Sequence, residues 1–356
     1  MITNNHLFKR LIIGWIVIFL SSTLMLSQTD SLTLFESLYG EHMIEMHIKT
    51  NLRQIIKHKS KKEKHKGVLT YTDANGVPQE WDIKIKARGN NRNEICFLPP
   101  LKLDFKKEEL RKNGIQGRYD KFKLVVHCNN GDNYDNYVLR EYLTYKLYNE
   151  LTENSFRVQL VKLMLEDVEA KQKPIETYAF LIEDVDELAE RLGGRVVTNK
   201  LFNPKKIHPA SYDLMSVFQF MIGNLDWHIL SHHNIKLVTN NTLQAVVAIP
   251  YDFDYAALVG TPYATPHTKL PVEDIRERYY LGLCRGMGVY EPTFQLFQNK
   301  KERLLAICQE MSLLSEKAKR PFLKYLEGFF EILENPKSSK KLIVNHCDRH
   351  IKVNLK

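Results

Sequence analysis

The stretch from residue 217 to 255 constrains the fold of this chain more than any other. An apolar run ends at a Gly-Asn pair, and Asp226 follows in a segment that we expect to form a tight loop. Asn234 leads into a short alternating strand, two consecutive asparagines can form a turn with positive φ, and an apolar strand returns to Asp252 and Asp254. A β-hairpin built this way would bring Asp226, Asn234 and Asp252 together at its open end, opposite the turn, which we call the mouth of the hairpin.

The residue types at this mouth are typical of a phosphoryl-transfer site. Two carboxylates and an amide oxygen around one point suit a magnesium ion that holds phosphates. A further carboxylate near the attacking group is what phosphoryl transfer requires. The alternative is that these residues only shape turns, because Asp and Asn side chains hydrogen-bond to their own backbone. Their placement at both ends of one hairpin favours the metal site.

The N-terminal segment predicts export. Lys9 and Arg10 precede the apolar run 11–20, small residues follow, and cleavage is expected between Ser27 and Gln28. The apolar run is short for a membrane span. An uncleaved anchor is the alternative, and it is the only membrane contact that we expect. We therefore predict a protein of the periplasm or cell envelope.

Composition and charge narrow the class of protein. The chain has 356 residues, 44% of them hydrophobic, which is enough for two modest domains or one bilobal domain. Much of the net charge of +9 lies in the basic run 57–66. This run is either a patch for nucleic acid or anionic lipid, or a solvated loop. We favour the loop, and expect no nucleic-acid partner, because no aromatic residues are interleaved to stack bases.

The five cysteines predict at most two disulfides. None has a C-x-x-C neighbour, which argues against a zinc ribbon or a thioredoxin-type motif. Exported proteins form disulfides readily. The first pair that we expect is Cys96–Cys128, because both residues lie in adjacent predicted strands. The odd count leaves one thiol free.

The N-terminal half predicts an antiparallel sheet that carries basic residues. Arg88 and Arg92 lie in a polar loop with a glycine, where the backbone can approach phosphates and the two guanidinium groups can clamp them. Lys102 and Lys123 lie on alternating strands that can face a nucleotide. Glu141 lies early on an amphipathic helix that we predict over 138–151. It would orient a strand lysine by pairing with it. A plain turn with solvent-facing lysines is the alternative.

The C-terminal half has the apolar spacing of helices. Together the two halves predict an α+β fold of two lobes. Residues 28–184 would form an antiparallel β-rich lobe with one helix, after a signal peptide at 1–27. Residues 185–356 would form a mainly helical lobe that also holds the hairpin, with the polar residues at the junction.

Several segments of the chain, from about 80 to 290, resemble those of a known family. They are Ala87-Arg88-Gly89-Asn90, Pro100-Leu101-Lys102-Leu103-Asp104-Phe105, Leu139-Arg140-Glu141, Gly223-Asn224-Leu225-Asp226-Trp227, His233-Asn234-Ile235-Lys236-Leu237 and Pro250-Tyr251-Asp252-Phe253-Asp254-Tyr255. In these segments the chain resembles the spore coat protein H (CotH) kinase-like family, and most of all its exported Bacteroidetes-type members. The resemblance implies a bilobal protein-kinase-like fold.

The resemblance also implies roles for the individual residues. Asp226 would position or deprotonate the acceptor hydroxyl. Magnesium, or manganese in its place, would be held by Asn234, Asp252 and Asp254. The ATP phosphates would be contacted by three basic residues of the N-terminal half, Arg88, Lys102 and Lys123. Glu141 would support these contacts. The implied partners are the nucleotide and a protein or small-molecule acceptor.

The sequence departs from ordinary protein kinases in ways that leave two other functions open. The spacing from Asp226 to Asn234 is longer, and neither a G-x-G-x-x-G loop nor a V-A-I-K strand is present. One alternative is an inactive kinase-like envelope protein that binds a partner. The other is a metal-dependent hydrolase that uses three histidines together with Asp226 and Asp252: His228, His232 and His233.

Overall fold

The structure is a computed structural model that describes residues 31–89, 91–129, 134–199, 203, 206–266, 268 and 270–345. The predicted signal peptide, 1–27, lies outside these residues. The described residues from Leu32 onwards belong to one compact unit. Within this part of the chain, no helix has the length and apolar character needed to cross a membrane.

Seven strands close into a barrel. They are β1 (Ile44–Thr50), β2 (His65–Thr72), β3 (Pro78–Ala87), β4 (Leu101–Phe105), β5 (Lys121–Val125), β6 (Val158–Asp167) and β7 (Ile175–Ile182). The order around the barrel is β1-β2-β3-β4-β5-β7-β6, and β6 pairs with β1 to complete the circle. The β1–β6 pair is parallel, whereas the other neighbouring pairs are antiparallel.

The period of two along the strands separates the inside of the barrel from its outside. Along β3, Trp81, Ile83 and Ile85 are buried, while Asp82 and Lys84 between them are exposed. Successive side chains of a strand point to opposite faces of the sheet. The apolar residues therefore fill the barrel, and the charged residues between them lie on its outer face.

The described part of the chain also contains ten α-helices, a 3-10 helix (Lys59–Lys61), a π-helix (Lys340–Val344) and a separate hairpin. The helices are α1 (Leu34–Leu38), α2 (Leu52–Lys57), α3 (Asn91–Ile95), α4 (Lys107–Lys112), α5 (Tyr134–Leu151), α6 (Val185–Arg191), α7 (Pro209–Ile222), α8 (Met287–Gln309), α9 (Glu316–Glu334) and α10 (Pro336–Ser339). The hairpin consists of β8 (Ile235–Asn240) and β9 (Ala245–Pro250). Its presence confirms the prediction from the 217–255 pattern.

Two hydrophobic cores stabilise the unit. One fills the barrel and includes Trp81 and Phe122. The other joins α5 to α7, α8, α9 and the hairpin, and includes Leu147, Phe218 and Phe253. Helix α5 lies between β5 and β6 in the sequence, yet it packs in the same core as the later helices. This helix therefore links the barrel to the segment that carries the candidate site.

The predicted fold class is wrong. We expected a bilobal protein-kinase-like α+β fold, with an antiparallel β-rich N-terminal lobe and a helical C-terminal lobe. Instead, the parallel pairing of β1 with β6 closes the N-terminal strands into a mixed barrel. The described part of 28–184 also holds five α-helices, α1 to α5, where we expected one.

The expected disulfide is present. Cys96 and Cys128 are bonded, and Leu98 N–H donates to the Cys128 carbonyl (3.1 Å). Cys96 directly follows α3 and Cys128 lies just beyond β5, so the prediction was right about the pair but placed Cys96 in a strand. Cys308 is a free, buried cysteine. The disulfide fixes α3 and its arginine beside the end of β5.

Candidate functional site

The hairpin brings the ends of two loops together. Ile235 pairs with Pro250 in the β8–β9 register, and Tyr251 N–H donates to the Asn234 carbonyl (3.0 Å). Helix α7 ends at Gly223 in the left-handed conformation, with φ of 63°. A Cβ at this position would lie 2.1 Å from the Tyr325 hydroxyl, so only glycine fits this turn.

Asp226 is held by three residues in a fixed orientation. Asn234 Nδ2 donates to the Asp226 main-chain carbonyl (2.7 Å) and to Oδ2 of its carboxylate (2.9 Å). His233 Nε2 donates to Oδ1 (2.8 Å), and Asp226 N–H donates to Asn224 Oδ1 (3.0 Å). The Asp226 side chain remains 36% exposed. Because the amide nitrogen of Asn234 faces Asp226, its amide oxygen faces away.

Asp252 is placed by α5. Its N–H donates to the hydroxyl of Tyr145 on that helix (2.8 Å), and the Tyr145 ring contacts Phe253 with 4.6 Å between centroids. Asp252 and Asn234 both have positive φ, 64° and 51°. Asp and Asn tolerate this conformation better than most residues, so backbone geometry explains part of the choice of residue at both positions.

Asp254 points into the protein rather than towards the mouth. It is 4% exposed, accepts a hydrogen bond from the Tyr263 hydroxyl (3.0 Å), and lies 3.9 Å from Arg92 Nε. Burial, followed by the charge of Asp252, raises the pKa of Asp254 to about 7. Its role as a metal ligand stays a prediction.

Glu141 on α5 lies beside the same arginine. Its Oε2 is 4.0 Å from Arg92 Nη1, and burial, followed by the charge of Asp254, raises its pKa well above the ordinary value. We predicted a strand lysine as its partner, but the structure places Arg92 there. Arg92 also donates to the Val126 carbonyl (2.5 Å), which anchors it to the end of β5.

Basic side chains form the other side of the site. Lys123 and Lys236 both lie over the ring of Tyr251, at 5.4 and 5.0 Å from its centroid. Burial and the nearby cation Arg88 lower the pKa of Lys123 to about 8. Lys102 lies directly opposite Lys123 in the β4–β5 register, one strand further from the hairpin.

The acidic and basic sides meet at Asp252. Its carboxylate acts electrostatically on His233 and Asp254 on one side and on Lys123 and Arg92 on the other. The structure therefore brings Asp226, Asn234 and the predicted basic residues Arg88 and Lys123 around one aspartate. Lys102 lies at the edge of this group.

Buried polar atoms without a hydrogen-bond partner indicate which kinds of ligand this site can bind. Among the described residues, Glu141 Oε1, Arg88 Nε and Arg92 Nε are buried and have no hydrogen-bond partner. Buried polar groups are normally paired, so each of these atoms calls for an explanation. A carboxylate oxygen suits a cation, and guanidinium N–H groups suit an anion. The residues present therefore fit a cation bound together with phosphates.

The histidines do not surround one point. His233 bonds to Asp226, whereas His228 Nδ1 contacts the Ser231 hydroxyl (2.8 Å). In the described ranges, no three His, Cys, Asp or Glu residues are grouped so that they could hold a metal. A zinc hydrolase site needs three such ligands. Magnesium needs only one or two carboxylates besides phosphates, and the amide of Asn234 adds a further oxygen.

Sequence reasoning assigned no role to Tyr145 or Lys236. It predicted that Arg92 would clamp phosphates together with Arg88 from a polar loop, whereas the structure places Arg92 on α3 beside Glu141 and Asp254. Tyr145 follows Glu141 by one helical turn, so it faces the same side of α5. Lys236 alternates with buried residues on β8, a pattern that solvent-facing lysines share.

Comparison with known proteins does not identify the chain, because no family model and no curated protein matches it.

The contact between Asp226 and His233 can be tested by titration. The hydrogen bond to Asp226 raises the pKa of His233 above 6.5. Its stabilising effect is therefore complete below the unfolded pKa and is lost as the pH rises through the folded pKa. We expect NMR of the imidazole protons to give a raised pKa that returns towards 6.5 in Asp226→Asn. An unchanged pKa in this variant would rule out the contact.

Proposed function

We propose that the protein is an exported phosphotransferase that uses ATP and Mg²⁺, or Mn²⁺, to phosphorylate a hydroxyl of a protein or small molecule. This proposal agrees with the resemblance to the CotH kinase-like family. It rests on the candidate site and does not depend on a kinase-like fold.

The observation that carries the proposal is the pair of hydrogen bonds from Asn234 to Asp226. These bonds hold the Asp226 carboxylate and the Asn234 amide oxygen at the same mouth of the hairpin. The amide nitrogen of Asn234 bonds to Asp226, and its amide oxygen faces away from Asp226. Asp252 lies beside them, because the preceding Tyr251 bonds to the Asn234 carbonyl, and Lys123 lies over the Tyr251 ring with Arg88 nearby. Phosphoryl transfer relies on this combination of a positioned base, metal ligands and cationic groups.

The residues of the site divide into three roles. Asn234 and Asp252 would hold the cation, with Asp254 as a further predicted ligand. The cation would neutralise charge on the phosphates. Arg88 and Lys123 would bind the phosphates, with Lys102 at the outer edge of the site. Glu141 would support this binding through Arg92.

Asp226 would act as the base. Its two oxygens each accept one hydrogen bond, so each retains a lone pair for a proton. Asp226 would accept the proton of the acceptor hydroxyl as that oxygen bonds to the γ-phosphorus. The bond from this phosphorus to the leaving oxygen then breaks, and ADP departs with the electron pair.

Calorimetric titration of ATP into wild type and Asp252→Asn tests the nucleotide site. Asparagine tolerates the positive φ of residue 252 but removes the charge. We expect wild type to bind ATP only with Mg²⁺ or Mn²⁺, and the variant to bind about 100-fold more weakly. Glu302→Gln removes an exposed carboxylate on α8 and serves as the control, which should bind like wild type. Equal, metal-dependent affinity in all three proteins would exclude Asp252 as a ligand.

A further inference from the structure

A lysine-rich groove lies on the outer face of the barrel. It has a volume of about 560 Å³, and its walls include Lys66, Lys84 and Lys121 of the strands and Lys107 of α4. A smaller cavity that shares Lys84 and Lys121 continues it to Lys86 and Lys102. We call the two together the lysine groove. Apart from Lys102, none of these lysines has a role in the proposed phosphoryl transfer.

The strand register places like charges directly opposite each other in the groove. Lys66 faces Lys84 across β2–β3, and Lys86 faces Lys102 across β3–β4. Lys102 in turn faces Lys123 across β4–β5. Directly opposed like charges destabilise a sheet. A bound anion would offset this repulsion.

The acidic residues of the groove are already paired. Asp104 lies 2.5 Å from Lys64, and Asp82 lies 2.7 Å from Lys106. Asp120 lies 2.8 Å from Lys121. Within the described ranges, no ion pair is formed by four of the lysines: Lys66, Lys84, Lys86 and Lys102. The groove therefore presents an excess of positive charge to any ligand.

We propose that the lysine groove binds an acidic polypeptide segment in an extended conformation. Alternate side chains of an extended chain lie about 7 Å apart, which matches the spacing of Lys84 and Lys86 along β3. Among the described residues of the walls, Phe105 is the only aromatic one, and it is 3% exposed and offers no surface for stacking bases. A groove also suits a single chain better than the flat surface of a membrane.

The lysine groove leads towards the candidate site. Its lysines continue from Lys86 through Lys102 to Lys123, which lies beside Tyr251 in the candidate site. An acidic segment in the groove would therefore end next to the mouth of the hairpin. The binding itself goes beyond the proposed phosphoryl transfer and is testable without nucleotide.

Fluorescence anisotropy with a labelled decapeptide of alternating Asp and Ala tests the proposal. The same peptide with Asn in place of Asp is the ligand control. We expect the acidic peptide to bind wild type, to bind more weakly as salt is added, and to lose about tenfold in affinity to Lys84→Glu/Lys102→Glu. Lys337→Glu, on the exposed α10, should bind like wild type.

The double variant has a second expected effect that shows whether it folds. Lys102→Glu would face Lys86 and Lys123, whereas Lys84→Glu would face Lys66 on one side and Asp104 on the other. Three opposed like-charge pairs would become opposite-charge pairs and one opposite-charge pair would become a like-charge pair, so the melting temperature should equal or exceed that of wild type. Equal affinity for the acidic and Asn peptides, or unchanged affinity in the folded double variant, would overturn the proposal. Tighter binding to phosphatidylglycerol vesicles or to a thymidine decanucleotide than to the peptide would also overturn it.

Discussion

Replacing Arg92 with methionine is expected to destabilise the protein by about 3 kcal/mol at pH 8. Arg92 lies against two buried carboxylates, those of Glu141 and Asp254, and donates to the Val126 carbonyl. Methionine is also long and unbranched, but it carries no charge. Removing one partner of a buried ion pair costs about 3–5 kcal/mol of stability. Arg92 lies 4.0 Å from the Glu141 carboxylate and 3.9 Å from the Asp254 carboxylate, and because these distances are long for ion pairs we expect the lower end of this range.

The loss of stability in Arg92→Met should be smaller at low pH. Burial and neighbouring carboxylates raise the pKa of Asp254 to about 7 and that of Glu141 well above its ordinary value. A raised folded-state pKa of a carboxylate destabilises the fold increasingly as the pH rises from the unfolded pKa to the folded one. Without Arg92 both values rise further, because its positive charge lowers them. The variant should therefore differ less from wild type at pH 5 than at pH 8.

Urea unfolding at the two pH values measures this difference. The matched control is Arg111→Met, because Arg111 is 59% exposed and pairs only with the exposed Glu108. Its free energy of unfolding should change by less than about 0.5 kcal/mol. If Arg92→Met were as stable as the control at pH 8, or lost the same free energy at both pH values, the buried charge cluster would not stabilise the fold as described.

Converting Asp226 to asparagine is expected to slow phosphoryl transfer by a factor of about 10²–10⁴ while ATP still binds. The substitution preserves the shape of the side chain but removes its ability to accept a proton. Asn234 and Asp252 are unchanged, so the predicted metal ligands remain. The measurement is the single-turnover rate at which the γ-phosphate leaves bound ATP.

Two comparisons make this measurement specific to the base. Glu302→Gln should react at the wild-type rate, because its carboxylate is exposed on α8. Asp252→Asn should react slowly because it binds ATP weakly, so raising the ATP concentration should recover part of its rate. Asp226→Asn should not recover in this way. A wild-type rate in Asp226→Asn at saturating ATP would remove it from the role of base.

Local patterns were enough to predict the hairpin and the approach of Asp226 to Asn234. The alternation around Ile235, the turn after it and the apolar return strand lie within one short stretch, so their pairing follows from sequence. The pairing of Cys96 with Cys128 was predicted correctly, although neither cysteine lies in a strand as the prediction assumed.

The closure of the barrel was not predictable in this way. It depends on parallel pairing of β1 with β6, which are distant in sequence, and such pairing has no local signature. The same limit explains why Arg92 replaced a lysine beside Glu141, since the approach of α3 to α5 is a tertiary contact. Asp254 lies beyond the end of β9 at Pro250, and Asp252 before it has positive φ, so the alternation of a strand does not predict where the Asp254 side chain points.

The most direct test of the proposed function is to follow ATP labelled at the γ-phosphate in the presence of the wild-type protein and Mg²⁺. Water, glycerol and the protein's own hydroxyl groups are all present as acceptors, so any transfer removes label from ATP. We predict that the label leaves ATP, that EDTA stops this loss, and that Asp226→Asn slows it. If ATP binds with Mg²⁺ but keeps its label through prolonged incubation, the protein binds nucleotide without transferring phosphate, and the central claim is wrong.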